Sequence, residues 1–331
     1  MMDINKKETW FKLHSSCIPV KGKDSSLIYD IEKEQLYPIS GDHYELLRLC
    51  KTNSLSEIER ILLEVSEEEL KNFLEQFIEE SLGFYTSNPE SFPELDLEWM
   101  APAVITNGII QLNATSQFDF ENLVEQFQNL GCDAIQVRLE ADFEWSTIEK
   151  LMLAFETTRI KLVDWIMPYR PSLDKEVLLE LMGRYKRVGL LRIYGSPKND
   201  CWESKDGKVT ILLLQKDIRL DPSEIITPDR LTVNSYVFME AQRHNVGLNR
   251  KVCVDAEGNI KNYLSHAKSW GNITEVTLKE VVNRPDFQEK WFVTNDKIER
   301  CCECSFRYCC VSNSDVEFQQ GSYRKVEYCT L

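Results

Sequence analysis

The chain has few of the signals that assign a function quickly. It carries 4 histidines, His14, His43, His244 and His266, and no two stand at a metal-gripping spacing. The motifs GxxxxGKS/T, GxSxG, HExxH and GxGxxG are all absent, so phosphate-loop, esterase, zincin and dinucleotide readings have no support. No apolar run approaches the roughly 20 residues of a membrane helix. The opening MMDINKKETWFKLHSS is charged and lacks the apolar stretch of a signal peptide. These absences lead us to expect a cytoplasmic protein with no membrane partner, in which thiols stay reduced and clustered cysteines mean metal more readily than disulfides. Positive charge is also scarce, with 39 Lys and Arg against 54 Asp and Glu, a net of −15. A protein that neutralises phosphates needs a basic face, so a nucleic-acid partner is not expected.

What the chain does have is cysteine. It holds 11, and Cys301, Cys302, Cys304, Cys309 and Cys310 crowd into CCECSFRYCC. Cys301 and Cys304, two residues apart, can grip one metal from a tight turn, because tetrahedral thiolate ligation needs sulfurs roughly 3.5–4 Å apart. Cys310 follows, and Cys329 returns after a stretch containing Gly321 that can fold over. Spacing alone does not separate zinc from an iron–sulfur cluster. A cysteine can also be simply a small buried hydrophobe.

Three regions differ in pattern. In residues 1–90, Leu27–Asp30 and Gln35–Pro38 read as a hairpin around IEKE. Asp42 can cap a helix through Cys50, and Ser54 or Ser56 can start another. Ser66 and Glu69 form a capping box for a helix from Glu67 to Leu82, with Leu70, Phe73, Leu74, Phe77 and Ile78 on one stripe and Gly83 as its stop. A hairpin with several short helices is a winged-helix arrangement. The segment from Asn53 to Glu98 holds thirteen acids against Arg60 and Lys71, either a solvated helix surface with an acidic linker or a patch attracting a basic partner.

Residues 99–230 alternate strand-like runs with helix-like ones, a pattern that implies right-handed βαβ units around a parallel sheet, as in a partial (β/α) barrel. The strands expected are Ala103–Thr106, Ala134–Leu139, Ile160–Ile166, Val188–Tyr194 and Val209–Leu214. Helices are expected near Phe120–Leu130, Ser146–Phe155 and Lys175–Tyr185, with Gly131 as a stop. Residues 231–331 are loop-rich, with a hairpin around DAEGN and a short helix capped by Thr277. Such chain needs a staple, which a metal site would supply.

In order and length these regions resemble the SPASM-domain peptide maturases of grasp-with-spasm systems. The resemblance rests on FKLHSSCIPVKGKDSSLIYD, GNIKNYLSH…WGNI and CCECSFRYCC. It implies an α/β protein made of an N-terminal winged-helix, PqqD-like domain, a central partial (β/α) barrel like a radical S-adenosylmethionine (SAM) core, and a C-terminal loop-rich SPASM domain. It also implies a precursor peptide whose leader is held as an added β-strand, and an ATP-grasp ligase as partner. Leu27, Tyr29, Leu36 and Tyr37 are the residues expected near the leader. One auxiliary 4Fe–4S cluster, or zinc, would be held by Cys301, Cys304, Cys310 and Cys329.

The chain departs from that family at two places. The second auxiliary cluster would need cysteine at Tyr263, five residues after Gly258, and near Asn313 and Ser314; Cys253, Cys302 and Cys309 are the substitutes at hand. The core would need CxxxCxxC after its first strand, yet Asn107–Phe120 has no cysteine, and Arg138-Leu139-Glu140-Ala141 stands where a glycine pair would approach SAM. No bound SAM and no catalytic residue are therefore expected. The first reading is a leader-binding accessory protein, and the alternative is a redox-active iron–sulfur enzyme using the tail cluster. Glu140 and Asp142 could serve as acid and base, but fit solvated surface as well. Trp202, Trp270 and Trp291 read as packing residues, and His266 as a surface or core histidine rather than a ligand.

Overall fold

The computed structural model describes residues 8–63, 65–217, 227–327 and 329–331. Residues 1–7, part of the opening stretch read for a signal peptide, lie outside it, as do residues 218–226 near the end of the middle region. No helix among the described residues is long and apolar enough to cross a membrane.

The N-terminal region runs β1 (Trp10–Leu13), β2 (Cys17–Lys21), β3 (Ser26–Asp30), β4 (Gln35–Ile39), α1 (Gly41–Cys50), α2 (Leu55–Leu62), α3 (Glu67–Glu79) and β5 (Gly83–Thr86). The expected hairpin is β3–β4, pairing Asp30 with Gln35, and β2 adds to it as a third antiparallel strand. Ser54 and Ser66 each close a capping box, with Glu57 and Glu69, while the cap of α1 is Ser40 rather than Asp42. Leu70, Leu74 and Phe77 of α3 are buried, but Phe73 lies near the surface, stacked on His43 at 3.9 Å between ring centroids. Gly83 does not stop α3. It opens β5, where a Cβ would sit 2.5 Å from the Phe11 ring, so the glycine answers a close approach between strands.

The middle region runs β6 (Asn107–Leu112), α4 (Phe120–Asn129), β7 (Ala134–Leu139), α5 (Trp145–Glu156), β8 (Leu162–Pro168), α6 (Lys175–Gly183), β9 (Val188–Tyr194), β10 (Asp200–Glu203) and β11 (Thr210–Leu214). The first strand is therefore 107–112, not 103–106. Gly108 is a strand residue whose missing side chain admits the Phe127 ring, 2.2 Å from where a Cβ would lie. The loop after the strand is correspondingly 113–119, which holds no cysteine.

After these come α7 (Ser235–Ala241), β12 (Lys251–Val254), β13 (Ile260–Lys261), α8 (Leu278–Val282), α9 (Pro285–Gln288), β14 (Val316–Gln319) and β15 (Ser322–Lys325). Thr277 closes the capping box of α8 with Glu280. β12 and β13 form the hairpin around DAEGN, and β12 also pairs in parallel with β6.

The result is a mixed α/β protein around an eight-stranded, mostly parallel sheet in the order β10-β11-β9-β8-β7-β6-β12-β13, with antiparallel strands at both edges. Neighbouring parallel strands joined in sequence by right-handed crossovers place their helices on one face. That face is the main core: Ile135, Val137 and Leu139 of β7, Val163 and Trp165 of β8, and Leu123, Ile148 and Leu178 of the helices bury together, with Trp270 and Trp291 joining them and Trp202 packed alongside. Each fully buried aliphatic or aromatic side chain is worth about 1.5–3 kcal/mol of burial. On the opposite face, Ile109 and Cys253 form a smaller cluster with Tyr263, Ile298 and Val316 of the C-terminal segment.

Candidate thiolate metal site

A one-turn 3-10 helix at Cys301–Glu303 sets the first pair, since the Cys304 N–H donates to the Cys301 carbonyl at 3.0 Å and closes the turn. The chain then coils so that the Cys310 N–H donates to the Phe306 carbonyl at 3.1 Å, and Leu231 bridges to Cys310. The β14–β15 hairpin, turning at Gln320 and Gly321, both with positive φ, carries the chain back toward Cys329. The fold-over expected near Gly321 is this hairpin. It also delivers Lys325, whose Nζ lies 4.0 Å from Cys310 Sγ.

Burial pushes the Cys301 thiol up to about 11, with Cys310, Cys304 and Cys329 adding to the rise and Lys325 opposing it. Cys304 and Cys310 are raised as well, burial first, and Cys329 is among the charges acting on each. The four sulfurs thus lie within electrostatic reach of one another. Among the described residues, however, no three His, Cys, Asp or Glu side chains are grouped so as to hold a metal ion. The donor chemistry fits a metal: four thiols, two nearby cations, and a backbone N–H, that of Phe306, donating to Cys304 Sγ at 3.4 Å. All-sulfur sets of this kind suit zinc or an iron–sulfur cluster.

The other cysteines lie apart from this set. Cys302 is exposed. Cys253 is buried beside Ile109, its Sγ 3.7 Å from the Asn262 carbonyl. Cys309 is buried against Tyr29, whose hydroxyl is 3.5 Å from its sulfur. Tyr263 and Asn313, where the family resemblance would require cysteines, line one cavity with Lys251 and Arg138. Arg138 donates to the Tyr263 hydroxyl at 3.0 Å, and Lys251 to Asn313 Oδ1 at 2.5 Å. His266 is a buried core histidine, its Nε2 2.9 Å from the Asn313 carbonyl oxygen and its basicity lowered by burial. Glu140 accepts from Gln111 at 2.5 Å, and Asp142 pairs with Arg170.

Leu27 and Tyr29 are buried in a contact between the N-terminal sheet and the cysteine segment. The Tyr29 hydroxyl donates to the Ser305 carbonyl at 2.6 Å, Lys23 N–H to the Glu303 carbonyl at 2.7 Å, and Arg307 Nη1 to the Lys21 carbonyl at 2.7 Å. Ser25 and Ser305 hydroxyls meet at 2.9 Å. Burial and Cys309 hold the Tyr29 phenol far above its ordinary value, so it stays a neutral donor. Leu27 and Tyr29 therefore offer no side-chain surface to a peptide. Leu36 and Tyr37 differ: they lie half-buried on β4, one of the sheet's two edge strands, which pairs only with β3 among the described residues. No local pattern marked the docking, because its partners lie far along the chain.

A scan against protein-family models and a search of curated proteins each return no match. Among solved structures, crystal structures of Streptococcus suis SuiB alone, bound to precursor peptide SuiA and bound to S-adenosylmethionine give TM-scores of 0.36, 0.36 and 0.37. Identities are 9%, 8% and 11%, over 92% of this chain and 94% of that chain. At that level the likeness carries no statement about this chain's chemistry.

Proposed function

We propose that this chain is a leader-peptide-binding accessory protein of ribosomal peptide modification, acting with an ATP-grasp ligase. In this reading residues 1–90 are a PqqD-like winged helix, residues 99–230 a radical SAM-like partial barrel without its SAM-cleaving cluster, and residues 231–331 a SPASM domain. The observation that carries it is β4, whose outer edge has no strand partner among the described residues. An extended peptide can add to such an edge, with backbone hydrogen bonds giving affinity and flanking side chains giving selectivity. Leu36 and Tyr37 lie on that strand, and Ser40 just beyond it bonds to His43 Nδ1 at 2.8 Å, bringing the His43–Phe73 stack to its end.

Cys301, Cys304, Cys310 and Cys329 would hold zinc or one 4Fe–4S cluster, which as a structural centre would brace the C-terminal segment. Loop 113–119, where a SAM-cleaving enzyme would carry three thiolates, has none, so the reading assigns no SAM chemistry to the barrel.

The test is anaerobic purification of the full chain with a candidate leader peptide and ligase. Co-purification of the three, with slowed backbone hydrogen exchange at residues 35–39 on adding leader, is expected. Production of 5′-deoxyadenosine from SAM by the pure protein would overturn the accessory reading in favour of a redox enzyme.

A further inference from the structure

The N-terminal region keeps a void that its own side chains leave open. Packed interiors hold few spaces larger than a water molecule. Here a cavity of about 140 Å³ lies between β1, β2, α1 and the segment that follows β5. Its inner wall is Phe11, Cys17, Leu47 and Cys50, each at most 4% exposed. Two of those four are cysteines, smaller than the leucine that would fill more of the space. Burial, the largest cause at each, pushes Cys17 up to about 11 and Cys50 up to about 12, so both thiols stay neutral at neutral pH and serve as apolar wall. Such a wall offers a water few of the two to four polar partners it needs.

We infer that this cavity is a binding site for a small apolar ligand built on one aromatic ring. A cavity of ~150 Å³ lined by apolar side chains takes up benzene, so the volume suits a single ring. Phe11 on the inner wall and Phe92 on the outer one present rings to it, and aromatic groups gain from edge-to-face contact beyond burial alone. The outer wall, Phe92, Leu95 and Leu97, also supplies a way in. Among the described residues no backbone hydrogen bond ties residues 93–97 to the strands or to α1. Side chains hold the segment instead: Phe92 packs edge-on against Phe84 at 4.6 Å between ring centroids, Glu94 pairs with Lys51 at 3.0 Å, and Leu97 packs on the cluster of Leu27 and Tyr29. An exposed ion pair contributes little, so the wall can part between its two apolar anchors. The site is independent of the peptide reading, since Cys17 lies on β2, the opposite edge strand from β4, and none of the four tail thiols lines it.

Isothermal titration of the full-length protein with toluene tests it, together with the methyl NMR signals of Leu47 and Leu95, one on each wall. Saturable binding is expected, with both signals moving as the site fills. Cys50→Leu should weaken binding by on the order of tenfold or more, because the added side-chain volume takes the place of the ligand. If overpacking unfolds that variant, the wild-type methyl signals decide alone. No saturable binding, or saturable binding that leaves the Leu47 and Leu95 signals unmoved, overturns the inference. Undiminished binding by a folded Cys50→Leu protein does so as well.

Discussion

Glu240 shows how far burial alone moves a single group. It lies in α7 with 5% of its surface exposed, and desolvation raises its carboxyl to about 7 against the opposing pull of Asn249, Lys251 and Arg250. Asn249 Nδ2 donates to Glu240 Oε1 at 2.7 Å, a bond that the protonated acid also accepts. In the unfolded chain the same carboxyl titrates near its ordinary 4.5. A group raised on folding contributes its full stability below the unfolded value and loses it as pH rises through the folded one. Stability should therefore fall between about pH 4.5 and pH 7, by at most roughly 3–4 kcal/mol at about 1.36 kcal/mol per unit. Glu240→Gln keeps the acceptor and drops the charge. Urea unfolding of this variant should match wild type at pH 4.5 and exceed it at pH 8, and equal curves at pH 8 would remove burial as the cause.

At the scale of elements, glycine positions carry the sharpest contrast. A Cβ on Gly83 would meet Phe11 Cζ at 2.5 Å and the Lys12 carbonyl oxygen at 2.7 Å, and Phe11 is 1% exposed with no room to retreat. Gly83→Ala should cost about 1–3 kcal/mol by forcing β1 and β5 apart. At Gly183, the last residue of α6, a Cβ would meet nothing within 4 Å, so Gly183→Ala should be neutral or stabilise by about 0.4–1 kcal/mol through the unfolded chain. Urea midpoints of the two variants give the comparison. The same residues show what sequence could reveal. Patterns satisfied inside one element were legible: the strand run of β7, the β3–β4 hairpin, the capping box at Ser66 and the cap at Thr277. Gly83 misled because its reason, the Phe11 ring, belongs to another element. β12 was read as half of a hairpin, and its parallel pairing with β6, 144 residues away at Lys251 and Asn107, leaves no local mark.

Over the whole molecule, the cysteine segment is the joint between the two ends of the chain. Ser305, Glu303, Arg307 and Cys309 all touch the N-terminal sheet, and a Cβ on Gly22 would lie 2.7 Å from the Ser305 backbone nitrogen. The candidate ligands were visible in spacing, whereas their position under the proposed peptide-binding domain was not, because that contact spans 276 residues between Tyr29 and Ser305. If a metal braces Cys301 and Cys304, it also fixes the turn on which β2 and β3 rest. Its uptake must displace thiol protons, and with Cys301 near 11 affinity should rise with pH across the neutral range, by roughly tenfold per unit for each proton displaced. Removing the metal with a chelator, or making Cys301→Ser with Cys304→Ser, should speed hydrogen exchange at residues 298–310 and, through the joint, at residues 21–31. Strands β7 to β9 bury their own core and should keep their protection. Faster exchange confined to residues 298–310 would show that the N-terminal sheet stands without the joint, and the thiolates would then act on their own segment alone.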